Sequence, residues 1–380
     1  MFQRKIVDRL YANSFKGKVF ILAGTRQVGK TTAVEQLLER YHPQKNIQKF
    51  NCDNPLDREN LANKDLQYLQ RLVGAADIIF IDEAQKVKNI GQTLKLLIDY
   101  YKDTKQIIAT GSSSFNLLSD VQEPLTGRKR VYQMHPLSLQ EIFGDNNLML
   151  LQKNIETILV YGMYPEVASQ DSFDEKKEIL QELVSSYLYK DIYEFQQLKS
   201  PDLLHNLLKA LALQVGSEVS YHELGNMLGV DKNTVERYVD LLEKNFVIFR
   251  LPPFFTNKRK EISKSKKIFF YDNGVRNALI NNFNSLDSRI DMGALWENFV
   301  IAERIKFRNL HKIEKRAYFW RDYQSGEIDL VEETPTEITG FEIKWKKQKV
   351  KAPAAWSKKE NTTFHVINKD NFFEWVYFAD

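Results

Sequence analysis

The segment Gly24–Thr31 constrains the fold of this chain more than any other stretch of the sequence. It reads GTRQVGKT and matches the spacing GxxxxGK[ST] without deviation. The apolar run Lys18–Ala23 precedes it and a helical pattern from Lys30 to Tyr41 follows it, which is the context that a phosphate-binding loop requires. The backbone N–H groups of such a loop curl around phosphates, and the amino terminus of the helix adds a favourable dipole.

The loop therefore predicts a nucleotide site, with ATP as the expected ligand and Mg²⁺ as the accompanying cation. Lys30 is expected to reach the β- and γ-phosphates, and the Thr31 hydroxyl is expected to ligate Mg²⁺. The predicted binding residues are Gly24, Thr25, Arg26, Gln27, Val28, Gly29, Lys30, Thr31 and Thr32.

A second motif, the apolar run DIIFI followed by two acids, lies about fifty residues downstream of the loop. Asp82 is expected to hold Mg²⁺ through water, and Glu83 is placed to orient or deprotonate the attacking water. Further along, QIIATGSSS indicates a neighbouring strand, from which Thr110 or Ser112 could present a hydroxyl to the γ-phosphate or to water.

The first 150 residues alternate short apolar runs with helical patterns. The runs Ile47–Cys52, Asp77–Ile81 and Gln106–Thr110 are predicted strands, and Gly91–Tyr101 is a predicted helix. Alternation of this kind predicts an α/β fold with a parallel sheet that helices cover on both faces. Ligands of such sheets bind at the carboxyl ends of the strands, where the polar motifs fall.

The middle of the chain is predicted to be helical and then to form a winged helix-turn-helix. The segment Ser220–Arg250 gives a capped helix, a turn at Gly229, a second helix and a strand, and residues 254–268 are expected to form a Lys-rich loop or wing. The second helix holds four acids and three bases, and helices that read a major groove usually carry surplus positive charge. Contact of Asn233, Thr234 and Arg237 with base edges and packing against protein both stay open.

The last hundred residues hold a second set of acids. Glu297 lies on a predicted helix, Asp329 in the strand GEIDLV, and Glu342 and Lys344 in the strand FEIKW. Residues two apart on a strand point to one face, so Glu342 and Lys344 project together. The three carboxylates could hold Mg²⁺ or Mn²⁺, and the lysine could stabilise charge during phosphodiester hydrolysis. This pattern resembles the PD-(D/E)XK nuclease fold.

Six motifs in one order give the chain a family resemblance: GTRQVGKTT, FIDEAQ, ATGSSSF, LTGRKR, HPLSLQE and YGMYPE. Together they resemble the bacterial and archaeal AAA-type ATPases that carry a C-terminal domain of unknown function, the DUF4143 group. This resemblance implies that Arg128 is a candidate to contact phosphate, either in the site of its own subunit or in that of a neighbouring subunit. The residues alone equally allow a solvated basic loop of Arg128, Lys129 and Arg130.

The expected fold class is α/β, with a P-loop AAA-type parallel sheet, a helical lid, a winged helix-turn-helix and a restriction-endonuclease-like α/β domain. The expected boundaries are 1–150 for the ATPase domain, 151–215 for the lid, 216–270 for the winged helix and 285–380 for the nuclease-like domain.

Charge and composition limit the classes of partner and the kinds of site that the chain is expected to have. Lys and Arg outnumber Asp and Glu at both ends of the chain but not in the middle, and lysines and aromatic residues crowd the C-terminal site. DNA is therefore an expected partner of the C-terminal basic region. One cysteine and six histidines give neither an internal disulfide nor a zinc site. No signal peptide or membrane span is visible, so the expected location is the cytoplasm.

Taken together, the motifs predict ATP hydrolysis with Mg²⁺ that gates a DNA-directed, nuclease-like domain. One alternative is a slow nucleotide switch whose inactive nuclease-like domain and winged helix bind DNA or a protein without cleavage. Another is a DNA-binding regulator that acts through the winged helix. An oligomer is compatible with each of them.

Overall fold

The computed structural model describes residues 1–111, 121, 123–145, 147–188, 201–255, 265–322 and 326–377. The chain divides into two compact units. The first comprises residues 1–137 with 244–246, and the second comprises the described residues from 138 onward apart from those three.

A five-stranded parallel sheet forms the centre of the first unit. Its strands are β1 (Val19–Ala23), β2 (Ile47–Asn51), β3 (Ile78–Asp82), β4 (Gln106–Gly111) and β5 (Lys129–Gln133), in the spatial order β2-β3-β4-β1-β5. The helices of this unit are α1 (Ile6–Asn13), α2 (Lys30–Glu39), α3 (Pro55–Leu61), α4 (Leu66–Val73) and α5 (Ile90–Tyr101), with a 3₁₀ turn at Ala84–Lys86. The predicted α/β fold class is confirmed.

Burial explains why the central strands read as continuous apolar runs. Every residue of β1 and of β4 is buried, as expected where helices cover both faces of a parallel sheet. Strand β5 was not among the predicted elements. In its sequence KRVYQ only Tyr132 is buried, so the segment lacks the apolar run that marks the other strands.

The second unit begins with a helical region and a small antiparallel sheet. The helices are α6 (Leu139–Phe143), α7 (Leu148–Tyr161), α8 (Pro165–Ser169), α9 (Phe173–Glu182) with a π-helical turn at Leu183–Leu188, α10 (Pro201–Leu213), α11 (Tyr221–Leu228) and α12 (Lys232–Lys244). Strands β6 (Glu218–Val219), β7 (Ile248–Leu251) and β8 (Lys266–Phe270) pair in the order β6-β8-β7.

These elements include the two helices and the strand predicted after Ser220, and the winged-helix interpretation stays a prediction. Within the predicted Lys-rich loop or wing, residues 266–268 belong to strand β8. That strand pairs with both β6 and β7. Most of the remaining loop, residues 256–264, lies outside the described residues.

A mixed four-stranded sheet closes the second unit. Its strands are β9 (Arg316–Arg321), β10 (Glu327–Glu333), β11 (Ile338–Ile343) and β12 (Thr362–Ile367), in the order β12-β11-β10-β9. Strands β9, β10 and β11 are antiparallel neighbours, and β12 runs parallel to β11. The accompanying helices are α13 (Asn273–Leu279), α14 (Met292–His311), α15 (Ala354–Ser357) and α16 (Phe373–Val376), with a 3₁₀ turn at Leu286–Ser288. The nuclease-like interpretation of this sheet stays a prediction.

The motif YGMYPE packs against a buried carboxylate in the second unit. Asp272 accepts hydrogen bonds from the backbone N–H groups of Met163 (2.7 Å) and Val275 (3.1 Å). A Cβ atom at Gly162 would lie 2.1 Å from an oxygen of Asp272, and Gly162 has a φ of 72°. Only glycine fits at this position, so this part of the motif has a structural role.

The motif HPLSLQE begins helix α6 and also contacts a buried acid. Ser138 and Glu141 form a capping box, which satisfies backbone donors at the start of the helix. The backbone N–H of Leu139 donates to the carboxylate of Glu303 (3.1 Å), which also accepts from Lys306 (2.7 Å). The motif thus anchors α6 to helix α14.

Among the described residues, no helix combines the length and the apolar composition that crossing a bilayer requires.

Strand β10 buries the carboxylate of Glu332 among three cations. Arg304 donates to both of its oxygens at 2.9 Å, Arg308 lies at 3.4 Å and Lys315 at 3.5 Å. Burial raises the pKa of Glu332, but the hydrogen bonds and charges of these cations outweigh burial and leave the pKa below its ordinary value.

We expect Glu332→Gln to destabilise the second unit by about 3–5 kcal/mol, because three cations would lose a buried counter-charge. The depressed pKa also means that the ionic contribution of Glu332 is present above pH 4.5, the ordinary value for Glu, and is lost as the pH falls below it. Urea unfolding between pH 3 and 7 measures both effects through tryptophan fluorescence, since all five tryptophans lie in the second unit. An unchanged midpoint and an unchanged acid limb in Glu332→Gln would contradict this prediction.

Candidate functional site

The phosphate-binding loop lies between β1 and α2, as the sequence predicts. Gly29 has a φ of 87° and Gln27 a φ of 60°, so the loop turns sharply before the helix begins. A Cβ atom at Gly24 would lie 2.3 Å from the carbonyl oxygen of Met134. Glycine is required there because the backbone that follows β5 passes directly against the loop.

Lys30 ends the loop, and its buried side chain reaches back to the beginning of the loop. Its Nζ donates to the carbonyl oxygens of Gly24 (3.0 Å) and Thr25 (2.9 Å). An ammonium group held inside a turn of backbone, at a helix amino terminus, is positioned to attract a phosphate.

The carboxylate of Asp82 joins three elements at the carboxyl edge of the sheet. One of its oxygens accepts from the Thr31 hydroxyl at 3.0 Å, and the other accepts from the Thr110 hydroxyl. Thr31 lies in α2, Asp82 ends β3 and Thr110 lies in β4. A hydroxyl and a carboxylate in contact are oxygen donors of the kind that Mg²⁺ prefers, so Thr31 and Asp82 fit this cation.

Glu83 follows Asp82 directly and has a left-handed backbone conformation, with a φ of 52°. Its backbone N–H donates to Asp82 (3.1 Å), and its carboxylate accepts from the side-chain amide of Gln85 (2.6 Å). Gln85 was not among the predicted site residues, although it stands in the motif FIDEAQ. Its contact fixes the direction of the carboxylate expected to activate water.

The alternative to Thr110, Ser112, lies outside the described residues. Thr110 is fully buried and its hydroxyl donates to Asp82, a contact that can orient that carboxylate. Presentation of the Thr110 hydroxyl to the γ-phosphate or to water stays a prediction.

Arg4 holds the loop from the side of helix α1 and was missed at the sequence level. Its guanidinium donates to the carbonyl oxygen of Val28 and to that of His135 (3.0 Å), and its backbone N–H donates to the side chain of Gln36 (2.9 Å). Arg4 is buried. No local signal marks it, because its partners are up to 131 residues away in the sequence.

Arg128 lies at the opposite end of the sheet from this site. It directly precedes β5, its carbonyl accepts from the Val19 N–H at 2.9 Å, and its guanidinium is paired with Asp99. The predicted nucleotide site lies at the carboxyl ends of the strands, whereas Arg128 lies at their amino ends. A contact with phosphate in its own site is therefore not compatible with this position. Contact with the site of a neighbouring subunit stays a prediction.

The four predicted C-terminal residues come together in the second unit. Lys344 Nζ lies 2.6 Å from a carboxylate oxygen of Glu342 and 3.7 Å from one of Asp329. Asp329 also accepts from the Ile343 backbone N–H at 2.7 Å. Glu297, on helix α14, is close enough for the negative charge of Asp329 to raise its pKa.

Two further charged residues belong to the same cluster and were not predicted as part of it. Lys267 Nζ lies 2.7 Å from a carboxylate oxygen of Glu327 and 3.2 Å from one of Glu297. At the sequence level Lys267 falls within the Lys-rich loop or wing predicted over residues 254–268, where its ammonium is expected to face solvent or DNA. This interpretation is wrong, because only 3% of Lys267 is exposed.

The pKa values of the cluster reflect burial and mutual charge. Burial, and next the Asp329 carboxylate, raise the pKa of Glu297 to about 8, against the opposing effect of Lys267. Burial likewise raises the pKa of Asp329, against the charges of Lys344 and Lys267. For Glu342 burial again raises the pKa, with Asp329 adding to it.

The C-terminal carboxylates do not fit the expected Mg²⁺ or Mn²⁺ in this arrangement. Within the described ranges, no three side chains of His, Cys, Asp or Glu are grouped so that they could hold one metal ion. The carboxylates are paired with ammonium groups instead, Asp329 and Glu342 with Lys344 and Glu297 with Lys267. In the first unit, by contrast, Thr31 and Asp82 fit Mg²⁺.

Comparison with protein families matches three segments of the chain. An AAA domain model matches residues 16–143, a domain of unknown function (DUF8612) matches 152–286, and the domain of unknown function DUF4143 matches 292–369. The resemblance to AAA-type ATPases with a C-terminal DUF4143 domain is thus confirmed. An AAA domain indicates ATP binding and, at a coarse level, ATPase-type activity.

Similar proteins are known from several organisms. An uncharacterized protein of Mycobacterium tuberculosis is 27% identical over 344 residues, which covers 90% of this chain and 74% of that protein. An uncharacterized protein of Methanocaldococcus jannaschii is 26% identical over 333 residues, covering 77% of this chain and 69% of that protein. Among solved structures, AMPPCP-bound DnaA from Aquifex aeolicus is similar with a TM-score of 0.28 and 15% identity, over 64% of this chain and 87% of that chain.

We expect Thr110→Val to reduce the gain in ATP affinity that Mg²⁺ produces about tenfold, because Asp82 loses the donor that orients it. Binding of a fluorescent ATP analogue, measured across a Mg²⁺ titration and in excess chelator, separates this effect from binding of the nucleotide itself. Thr93→Val is the matched control, since Thr93 is equally buried but donates to the Leu61 carbonyl instead. Equal Mg²⁺ dependence in the two variants would contradict the role assigned to Thr110.

Proposed function

We propose that this chain, in which an AAA domain precedes a DUF4143 domain, binds ATP with Mg²⁺ and hydrolyses its β–γ phosphoanhydride. The contact of Thr31 with Asp82 carries the proposal. It brings a helix-borne hydroxyl and a strand-borne carboxylate together at the sheet edge where Lys30 closes the phosphate loop. A loop that only turned the chain would need neither the buried ammonium nor this pair.

The chain's own residues divide the reaction between them. The backbone N–H groups of the loop and the Lys30 ammonium bind the phosphates, and Thr31 and Asp82 would hold Mg²⁺, which supplies charge neutralisation at the phosphate oxygens. Glu83, directed by Gln85, takes a proton from the attacking water. The water oxygen bonds to the γ-phosphorus, and the bond to the bridging oxygen breaks with its electron pair leaving on ADP.

Two substitutions separate binding from hydrolysis. Lys30→Ala is expected to lower ATP affinity about 100-fold, because the phosphates lose a buried counter-charge. Glu83→Gln is expected to bind ATP normally and to release no phosphate, because the amide accepts no proton. Calorimetry and phosphate release measure the two quantities, with Glu59→Gln as an exposed control. Retained affinity in Lys30→Ala, or undiminished turnover in Glu83→Gln, would refute the respective role.

The C-terminal region is proposed to be directed to DNA. Four lysines, Lys346, Lys347, Lys349 and Lys351, are exposed in the segment that follows β11, close in sequence to Lys344 of the charged cluster. An exposed run of positive charge suits the phosphate backbone, which supplies much of the affinity in protein–DNA complexes.

Of the two forms left open by the sequence, ATP-gated cleavage and binding without cleavage, the cluster supports the second. Cleavage of the nuclease-like type needs a divalent cation at the carboxylates, whereas Lys267 and Lys344 pair with them here. Supercoiled plasmid incubated with the protein and Mn²⁺, with and without ATP, is therefore expected to stay intact. If the protein cuts the plasmid and the Lys344→Ala control does not, the interpretation of ATP-gated cleavage would be supported instead.

The alternative that places DNA binding on the winged helix is tested by charge reversal. The double variant Lys346→Glu/Lys347→Glu is expected to weaken binding of a DNA duplex about tenfold or more and to reduce the dependence of affinity on salt. Arg237→Glu, also at an exposed position, is expected to leave affinity near that of the unchanged protein. Fluorescence anisotropy at several salt concentrations measures both. The reverse result would assign DNA binding to helix α12, and no binding by any form would point to a protein partner.

A further inference from the structure

Lys267 occupies an unusual position for a lysine in the middle of a small sheet. It belongs to strand β8, the central strand of β6-β8-β7, and it is almost entirely buried. Its ammonium contacts carboxylates from two other elements, Glu297 on α14 and Glu327 on β10, at 3.2 and 2.7 Å. The ring of Phe319 lies on a further side, with its centroid 5.6 Å from Nζ.

We propose that the Lys267 ammonium takes the place of a divalent metal ion in the cluster formed by Glu297, Glu327, Asp329 and Glu342. The C-terminal domain then binds its ligand without metal-dependent cleavage. This inference rests on the proposed function for the choice of ligand only; the absence of a metal site is a separate claim about the second unit.

The positions of the donors support this replacement. Helix α14 and strand β10 supply carboxylates that a metal would need to share, and the Lys267 ammonium already stands within hydrogen-bond distance of one from each. Asp329 is itself engaged, since one of its oxygens accepts from the Ile343 backbone N–H and lies 3.7 Å from Lys344 Nζ. Magnesium and manganese demand several oxygen ligands at short distance around one point. A cation placed between Glu297 and Asp329 would meet the positive charge of Lys267.

The protonation of Lys267 is secured by the same contacts. Burial lowers its pKa, but the carboxylates of Glu297, Glu327 and Asp329 together raise it by more, so the net pKa lies above the ordinary value for lysine. The ammonium therefore persists at neutral pH. Each pair of carboxylates has its own lysine, Lys267 for Glu297 and Glu327, and Lys344 for Asp329 and Glu342.

Manganese binding in the absence of nucleotide tests the proposal on the full chain. All proteins carry Asp82→Asn to remove the cation ligand of the other site, and free Mn²⁺ is measured by electron paramagnetic resonance. In the parent protein, adding Asp329→Asn is expected to leave Mn²⁺ binding unchanged, because no Mn²⁺ site there depends on Asp329. Lys267→Met is expected to bind Mn²⁺ at the cluster at least about tenfold more tightly than the parent protein does, because the competing charge is gone. Adding Asp329→Asn to Lys267→Met is expected to remove that site.

Lys266→Met is the matched control, since Lys266 is the neighbouring residue of the same strand and no contact joins it to the cluster among the described residues. An Asp329-dependent Mn²⁺ site in the parent protein would overturn the proposal, and this comparison needs no lysine variant to fold. A folded Lys267→Met that binds Mn²⁺ no better than Lys266→Met would overturn it as well. Neither readout uses ATP or DNA, so failure here is distinct from failure of the proposed function.

Discussion

The ammonium groups of Lys30 and Lys267 are both buried, and their contacts determine what each of the two polar clusters can bind. Lys30 donates to the carbonyl oxygens of Gly24 and Thr25 at the amino terminus of α2, a position that favours the charge of a phosphate. Lys267 lies between the carboxylates of Glu297 and Glu327, so its counter-charge is already supplied by the protein. A buried lysine thus belongs to the proposed phosphate site of the first unit, and in the second unit a buried lysine is proposed to take the place of a divalent cation.

The parallel sheet explains why the nucleotide residues meet at all. Strands β1, β3 and β4 are hydrogen-bonded in parallel, so their carboxyl ends lie at one edge, where the loop, Asp82 and Thr110 are found. The same rule separates Arg128 from them, since it precedes β5 and lies at the amino end of β1. Arg128 therefore belongs to one of the motifs that carry the family resemblance and still lies at the other end of the strands from the predicted nucleotide site.

Much of the first site could be predicted because its information is local. The loop, the strand before it and the helix after it are contiguous, and the acid of β3 follows its own apolar run. Arg4 and Lys267 could not be predicted in this way, since their partners are distant in sequence and only the tertiary fold joins them. Strand β5 escaped prediction for a different reason, because its sequence KRVYQ has no apolar run. Residue types at the right spacing located Glu297, Asp329, Glu342 and Lys344, but spacing does not reveal which cation they bind.

Strand β10 shows how the cations of the C-terminal region are distributed. It carries the buried Asp329 and Glu332 and the partly exposed Glu327, and buried carboxylates require compensating charge. Helix α14 supplies Arg304 and Arg308 to Glu332, and Lys267 and Lys344 serve the other two acids. A count of lysines and arginines along the sequence therefore overstates the positive charge that this region offers to a nucleic acid. The exposed lysines after β11 are a smaller set, and they follow closely in sequence after Lys344, whose own charge is paired within the cluster. The proposed contact with DNA therefore depends on these exposed lysines, while the carboxylates of the cluster stay paired with Lys267 and Lys344.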